Sequence, residues 1–280
     1  MMLLDMIMEF LTGTTPYHVE LRTFGIAFQG AMAVRNGLNK DKKMNPFHAF
    51  AWTTILGFGG GWFTFLFLGK PTSMIASGDV NITLSFLAFL IVNYMPGDIG
   101  YKLGMSLPGM LLTTSLAQMF RSMGTIGFIS TAAKEISPSK YYGIPVLGPI
   151  LYGSLLGNMG AFFVKGFDGH LKNGMPWPFQ NGLFIGTFFH LFAHDVSGSL
   201  GTGLRSIVYS IVDPAWLSLD DRTFALFVMN LFMLVTGIMR MPQFYGPAFN
   251  PILAPYNMVM ELLGSGNAPT KKKGKKKKSA

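Results

Sequence analysis

Residues Asn45 to Pro71 read NPFHAFAWTTILGFGGGWFTFLFLGKP. Between the Asn45-Pro46 start and the Lys70-Pro71 stop, Pro46 to Leu68 contains no Asp, Glu, Lys or Arg. An α-helix needs about 20 predominantly apolar residues to cross a bilayer, so this stretch predicts a membrane-embedded helix and an all-α fold. Its middle carries Gly57, Gly59, Gly60 and Gly61. A glycine in a helix interior costs about 1 kcal/mol relative to alanine. The cluster therefore predicts a kink, a close-packing face for a second helix, or both. Irregular backbone at membrane depth is tolerated where it lines a water path, which makes these four glycines candidate pore residues.

The composition of the 280 residues agrees. Half are hydrophobic, 14% are aromatic and only 12% are charged, against about 25% charged in an ordinary soluble domain. Burial in a larger core cannot absorb that deficit, because the buried fraction rises slowly with size; lipid can. There is no cysteine, which excludes disulfide frameworks and thiolate metal sites. The net charge of +9 is concentrated in a tail that holds Lys271, Lys272, Lys273, Lys275, Lys276, Lys277 and Lys278. A nucleic-acid-binding protein would place such groups on a folded surface, so that class is set aside. The tail, residues 267–280, lacks apolar periodicity and is expected to be disordered beside a transmembrane domain of residues 1–266.

Working outward from Pro46–Leu68, further apolar runs are Tyr17–Val34, Ile82–Met95, Tyr142–Val164, one beginning at Gly182–Ala193, Thr223–Met241 and Phe244–Leu263. That makes seven spans, with Leu107–Ala133 treated as a kinked or interfacial extension of the third. Basic residues decide orientation. Arg35, Lys40, Lys42, Lys43, Lys102, Arg121, Lys134, Lys140, Arg205, Arg222 and the tail fall on one side, against Lys70, Lys165, Lys172 and Arg240 on the other. The lysine-rich side is expected to be cytosolic, with the N-terminus lumenal or exterior.

Few residues invite chemistry. His190 and His194 stand one helical turn apart with Asp195 following, but two imidazoles do not make a zinc site, and no metal is expected. No P-loop, nucleophile elbow or His-Glu-x-x-His sequence occurs, so no enzyme and no catalytic residue is expected. A charge in hydrocarbon costs about 2.5–3.5 kcal/mol at the span centre on insertion scales. Asp98 and Asp195 are therefore weighed as cation-attracting groups against the plainer reading, span-end residues reaching the headgroups.

The opening stretch, followed by YMPGDIGYKLGMSLPGMLL (Tyr94–Leu112), resembles the trimeric intracellular cation (TRIC) channel family, animal type. ISPSKYY (Ile136–Tyr142), GNMGAFF (Gly157–Phe163) and GMPWP (Gly174–Pro178) extend the resemblance at compatible spacing. It implies a homotrimer with one pore per protomer. Each protomer would consist of two inverted three-helix repeats plus a final helix. It further implies passage of potassium and other monovalent cations across the endoplasmic or sarcoplasmic reticulum, and nuclear, membrane while calcium is released. Kinked second and fifth helices would border the pore, which suits Gly57–Gly61 and a second kink at Gly198 and Gly201.

The family's phosphoinositide signature, Lys-Glu-Val-x-Arg-x-x-Lys, is diverged. Ungapped counting places it on AQMFRSMG, Ala117–Gly124, where Arg121 alone is kept; a rival placement on KEISPSK supplies Lys134 and Lys140. Bound phosphatidylinositol bisphosphate is the expected lipid at one of these placements. Lys277 and Lys278 resemble a dilysine retrieval signal, an address read by receptors, or form a generic basic stop after the last span. A secondary transporter also uses inverted repeats and broken helices and stands as the rival function; it usually carries a mid-span carboxylate for coupling, whereas here the acidic residues lie at span ends.

Overall fold

The computed structural model describes residues 2–76, 79–164, 166–212 and 219–252, and every regular element among them is helical. The expected boundary at residue 266, Lys165, most of the span Phe244–Leu263, and Lys277 and Lys278 lie outside the described residues. The chain divides into two units, Met1–Phe249 and Asn250–Ala280; the helices among the described residues belong to the first.

In chain order they are α1 (Met2–Thr12), α2 (His18–Asn36), α3 (Pro46–Leu68), α4 (Ser73–Ala76), α5 (Val80–Tyr94), α6 (Ile99–Met105) and α7 (Leu107–Glu135). Then come α8 (Leu147–Asn158), α9 (Gly160–Phe163), α10 (Phe167–Asn173), α11 (Trp177–Ala193), α12 (Ser199–Ile211) and α13 (Asp221–Met239). The punctuation of α3 is local chemistry. The Asn45 side chain accepts from the Phe47 N–H at 2.9 Å, Pro46 opens the first turn, and Gly69 ends the helix at φ 60°, a left-handed close that glycine adopts without strain.

The third span is not continued by Leu107–Ala133. After α5 the chain passes Pro96-Gly97-Asp98 and turns by 92° into α6; Gly97 and Asp98 both sit at positive φ, 64° and 59°. Ser106 then starts a new helix, accepting from the Gly109 N–H at 3.2 Å, and α7 runs unbroken for 29 residues. Pro108 occupies the first turn of α7, where its missing N–H costs nothing.

Helix α7 is the hub, packed against α2, α8, α11 and α13. The helices α2, α3 and α5 contact one another; α7, α8 and α11 do the same; the two groups meet along α2–α7 and α3–α8. One apolar core lies around α2, with Ile26, Ala31, Phe58, Val92 and Ala117. A second joins α7, α11 and α13 through Ile129, Phe189, Phe192, Met229 and Met233.

Beside these apolar cores, Ser122, Thr125, Ser154, Asn158, Asn181 and Asn230 are enclosed, while Leu66, Phe86, Leu112, Leu151, Phe184 and Val235 are exposed. Large apolar side chains turned outward suit apolar surroundings. By length and composition, Pro46–Leu68 and Asp221–Met239 are each apolar enough to cross a membrane, and the bent pair Val80–Tyr94 with Pro96–Met105 passes together. At 12 and 17 residues, α8 and α11 are too short to be recognised separately, so seven spans do not follow from length and composition alone.

Candidate conduction site

The glycine cluster of α3 does both things its composition predicts. Phe58, in the middle of the cluster, departs from helical geometry at φ −120°, ψ 27°, so α3 is kinked there. The glycines also press against the second helix group. A Cβ on Gly60 would lie 1.7 Å from the Leu156 carbonyl oxygen, and one on Gly59 would lie 2.8 Å from the Gly160 nitrogen. The closeness is reciprocal: a Cβ on Gly160 would lie 2.1 Å from the Leu56 oxygen. Two backbones meet with no room for a methyl group between them.

The partner of this kink is Gly157-Asn158-Met159-Gly160, where helix gives way from α8 to α9. Asn158 donates to the Ser154 carbonyl at 3.0 Å and to Thr125 Oγ1 at 3.3 Å; its Oδ1 has no protein partner. Gly198 and Gly201, expected at a second kink, lie at the α11–α12 turn and make room for Asp195: added Cβ atoms would stand 2.0 Å from its Oδ1 and 2.0 Å from its carbonyl oxygen. The interruption opposite Gly59 and Gly60 lies instead in GNMGAFF, a run of small and polar residues inside an apolar span.

A cavity of about 240 Å³ opens beside the α3–α8 contact, lined by Gly57–Gly61, by Leu156–Ala161 and by side chains of α2 and α7. Two of these are Arg22 and Arg121, both half-buried. The Arg22 Nε is enclosed without a hydrogen-bond partner. No Asp or Glu lines the cavity among the described residues. Nothing local in the sequence marks Arg22 as facing the cavity of Arg121, because the two residues are brought there by the α2–α7 contact.

The other basic candidates do not join them. Lys134 lies 13 positions beyond Arg121 on α7, roughly 20 Å along the axis at about 1.5 Å per residue, and Lys140 rests on the Tyr141 ring at 5.0 Å. The two placements of the diverged signature are thus separate places, and only Arg121 reaches the cavity. Asp98 and Asp195 are committed to protein partners. Asp98 pairs with Arg35 at 2.8 Å and Lys42 at 3.0 Å; Asp195 accepts from the Tyr142 hydroxyl at 2.5 Å and the Gly201 N–H at 2.7 Å. A cation-attracting role therefore has no free carboxylate behind it at either position. Among the described residues, no three His, Cys, Asp or Glu converge as a metal cluster.

The model of the TRIC channel family matches residues 35–181, more than half of the chain and the part that builds α3, the α5–α6 bend, α7 and α8–α9. The chain belongs to the TRIC channel family. Its function is accordingly transport and not catalysis. Similar solved structures include a trimeric intracellular cation channel from C. elegans with bound Ca²⁺, at 14% identity and TM-score 0.56, over 85% of this chain and 96% of that one. The C. elegans channel in the absence of Ca²⁺ has 16% identity and TM-score 0.56, over 82% and 95%. A structure described as the basis for activity of TRIC counter-ion channels in calcium release has 17% identity and TM-score 0.55, over 80% and 91%. At these identities the likeness is one of fold. No curated protein matches the sequence.

Proposed function

We propose that this TRIC-family chain is a homotrimeric monovalent-cation channel of the endoplasmic or sarcoplasmic reticulum membrane, of the animal type, passing chiefly potassium as counter-ion flux during calcium release. The observation that carries the reading is the cavity at the meeting of two interrupted helices: α3 at Phe58 and α8–α9 at Met159, joined glycine to backbone. The mutual contacts of α2, α3 and α5 and of α7, α8 and α11 suit two inverted three-helix repeats, with α13 as the seventh span. The distribution of lysines suits a lumenal N-terminus and a cytosolic C-terminus. Lys277 and Lys278 would keep the protein in the reticulum.

Arg22 and Arg121 impose a condition on this reading. A monovalent cation about 5 Å from one guanidinium is repelled by roughly 3 kcal/mol at an effective dielectric of about 20. Conduction through this cavity then needs an anionic group beside them, and a phosphoinositide headgroup is the proposed occupant, since guanidinium matches phosphate oxygens bidentately.

Single-channel recording of the purified trimer in planar bilayers, with and without phosphoinositide, tests the reading. Wild type should give picoampere unitary potassium currents that increase with the lipid. Gly60→Leu should abolish them in a surviving trimer, because its side chain cannot fit beside Leu156. A Gly60→Leu trimer that conducts like wild type would remove α3 from the pathway. Solute flux without unitary events would point to a carrier instead.

A further inference from the structure

The imidazoles of His190 in α11 and of His194 at its C-terminal cap have no part in the cavity, yet their hydrogen bonds determine one another. His190 Nε2 lies 2.7 Å from the Pro145 carbonyl oxygen, which can only accept, so this nitrogen carries a hydrogen. A neutral His190 therefore offers Nδ1 as an acceptor, and His194 Nδ1, 3.0 Å away, must donate to it. His194 Nε2 is then the acceptor that faces the Ser130 hydroxyl at 3.5 Å. The chain Ser130–His194–His190–Pro145 ties α7, the end of α11 and the connector leading into α8 together, with each nitrogen in one defined tautomer.

We propose that this histidine pair is a proton-operated joint: it accommodates a single proton and is forced apart by a second. One proton on either ring leaves a single N–H between the two Nδ1 atoms. The far nitrogen of His194 becomes a donor, and Ser130 need only turn its hydroxyl from giving to accepting. With both rings charged, two N–H groups confront each other at 3.0 Å and no rotation of Ser130 relieves them.

The charged groups that face the pair are Asp195, beside His190, and Lys134 of α7 and Arg222 at the start of α13, beside His194. The Asp195 carboxylate is itself held by Tyr142 and Gly201, while Arg205 of α12 is turned to the carbonyls of Phe192, Asp195 and Val196. His190 is wholly buried but His194 is only half-buried, so protons reach the pair from the His194 end. Separation would release Pro145, two residues ahead of α8, whose far end holds the Gly157–Asn158 contact with α7.

The proposal is independent of whether the cavity conducts, and its first readout is not conduction. Thermal unfolding of the full-length protein in detergent should be followed from about pH 7.5 to about pH 4.5, across the ordinary imidazole value of about 6.5, for wild type and His194→Gln. Glutamine can still donate toward His190 but takes up no proton. The acid-induced fall in Tm should be smaller in the variant by about 3 °C or more. Superimposable acid profiles would overturn the joint.

If the variant does not fold, amide hydrogen exchange of wild type decides. After correction for the intrinsic rate, protection over residues 146–151 should collapse at acid pH before that of the first turns of α3 and α7. Simultaneous loss at all three places would overturn the proposal. An acid-dependent change in unitary current that His194→Gln removes would carry the joint into gating; Tm profiles that differ in a protein without currents would leave the joint standing and count against the channel reading alone.

Discussion

At the bend between α5 and α6, Asp98 is 38% exposed and is held by two cations, Arg35 from α2 and Lys42 from the loop after it. At the turn between α11 and α12, Asp195 is 2% exposed and is held by neutral donors, the Tyr142 hydroxyl and the Gly201 N–H. The arginine at that second turn, Arg205, lends its guanidinium to the terminal carbonyls of α11, those of Phe192, Asp195 and Val196. The two turns join comparable pairs of helices, and each carries an aspartate that sequence reading treated alike. Exposure separates them. A carboxylate that keeps its water gains little from an exposed partner such as Lys42, because desolvation and Coulomb energy are both small there, whereas Arg35 is buried and fixed by the Val92 carbonyl and the Tyr101 ring. A carboxylate removed from water must have its lone pairs filled by fixed donors, or burial costs more than any ion pair returns.

Three substitutions test this difference, beginning with the largest expected effect. Asp195→Ala leaves the Gly201 N–H and the Tyr142 hydroxyl without their acceptor in a closed place. At about 1–3 kcal/mol for each unsatisfied buried group, thermal or denaturant unfolding should show a loss of about 2–5 kcal/mol. Arg205→Met keeps the packing stem but uncaps the end of α11. Some of those carbonyls face the surface and can turn to water, so the loss should be nearer about 2 kcal/mol. Lys42→Met should change stability least, and its effect should disappear in about 0.5 M salt, where the Debye length falls below about 5 Å. A Lys42→Met effect equal to that of Asp195→Ala would mean that exposure does not govern how these turns are held.

Some of this contrast could be read in advance. Pro96-Gly97-Asp98 announces a break, because proline and a positive-φ glycine act within a few residues of themselves. The second turn has no such signal. Asp195 is buried because Tyr142, 53 positions earlier, reaches it; Gly198 leaves room for its carboxylate and Gly201 for its backbone carbonyl. A glycine in the sequence states that something comes close but not what.

By itself, the sequence determined the solvent and the local grammar of this protein. Half its residues are hydrophobic, Pro46–Leu68 carries no formal charge, and Asn45, Ser106 and Asp220 each cap a helix with their own side chains. These are effects of composition and of neighbours along the chain, and they survive reading one window at a time. Only the tertiary structure decided that Leu107–Glu135 is a separate hub helix, that Gly60 faces Leu156, that Arg22 and Arg121 share a cavity, and that two histidines fix one another's tautomers. Each depends on groups about 45 to 100 positions apart, or on helices from different halves of the chain. Close packing selects those partners by shape and by the satisfaction of buried polar atoms, and neither quantity exists until the helices have met.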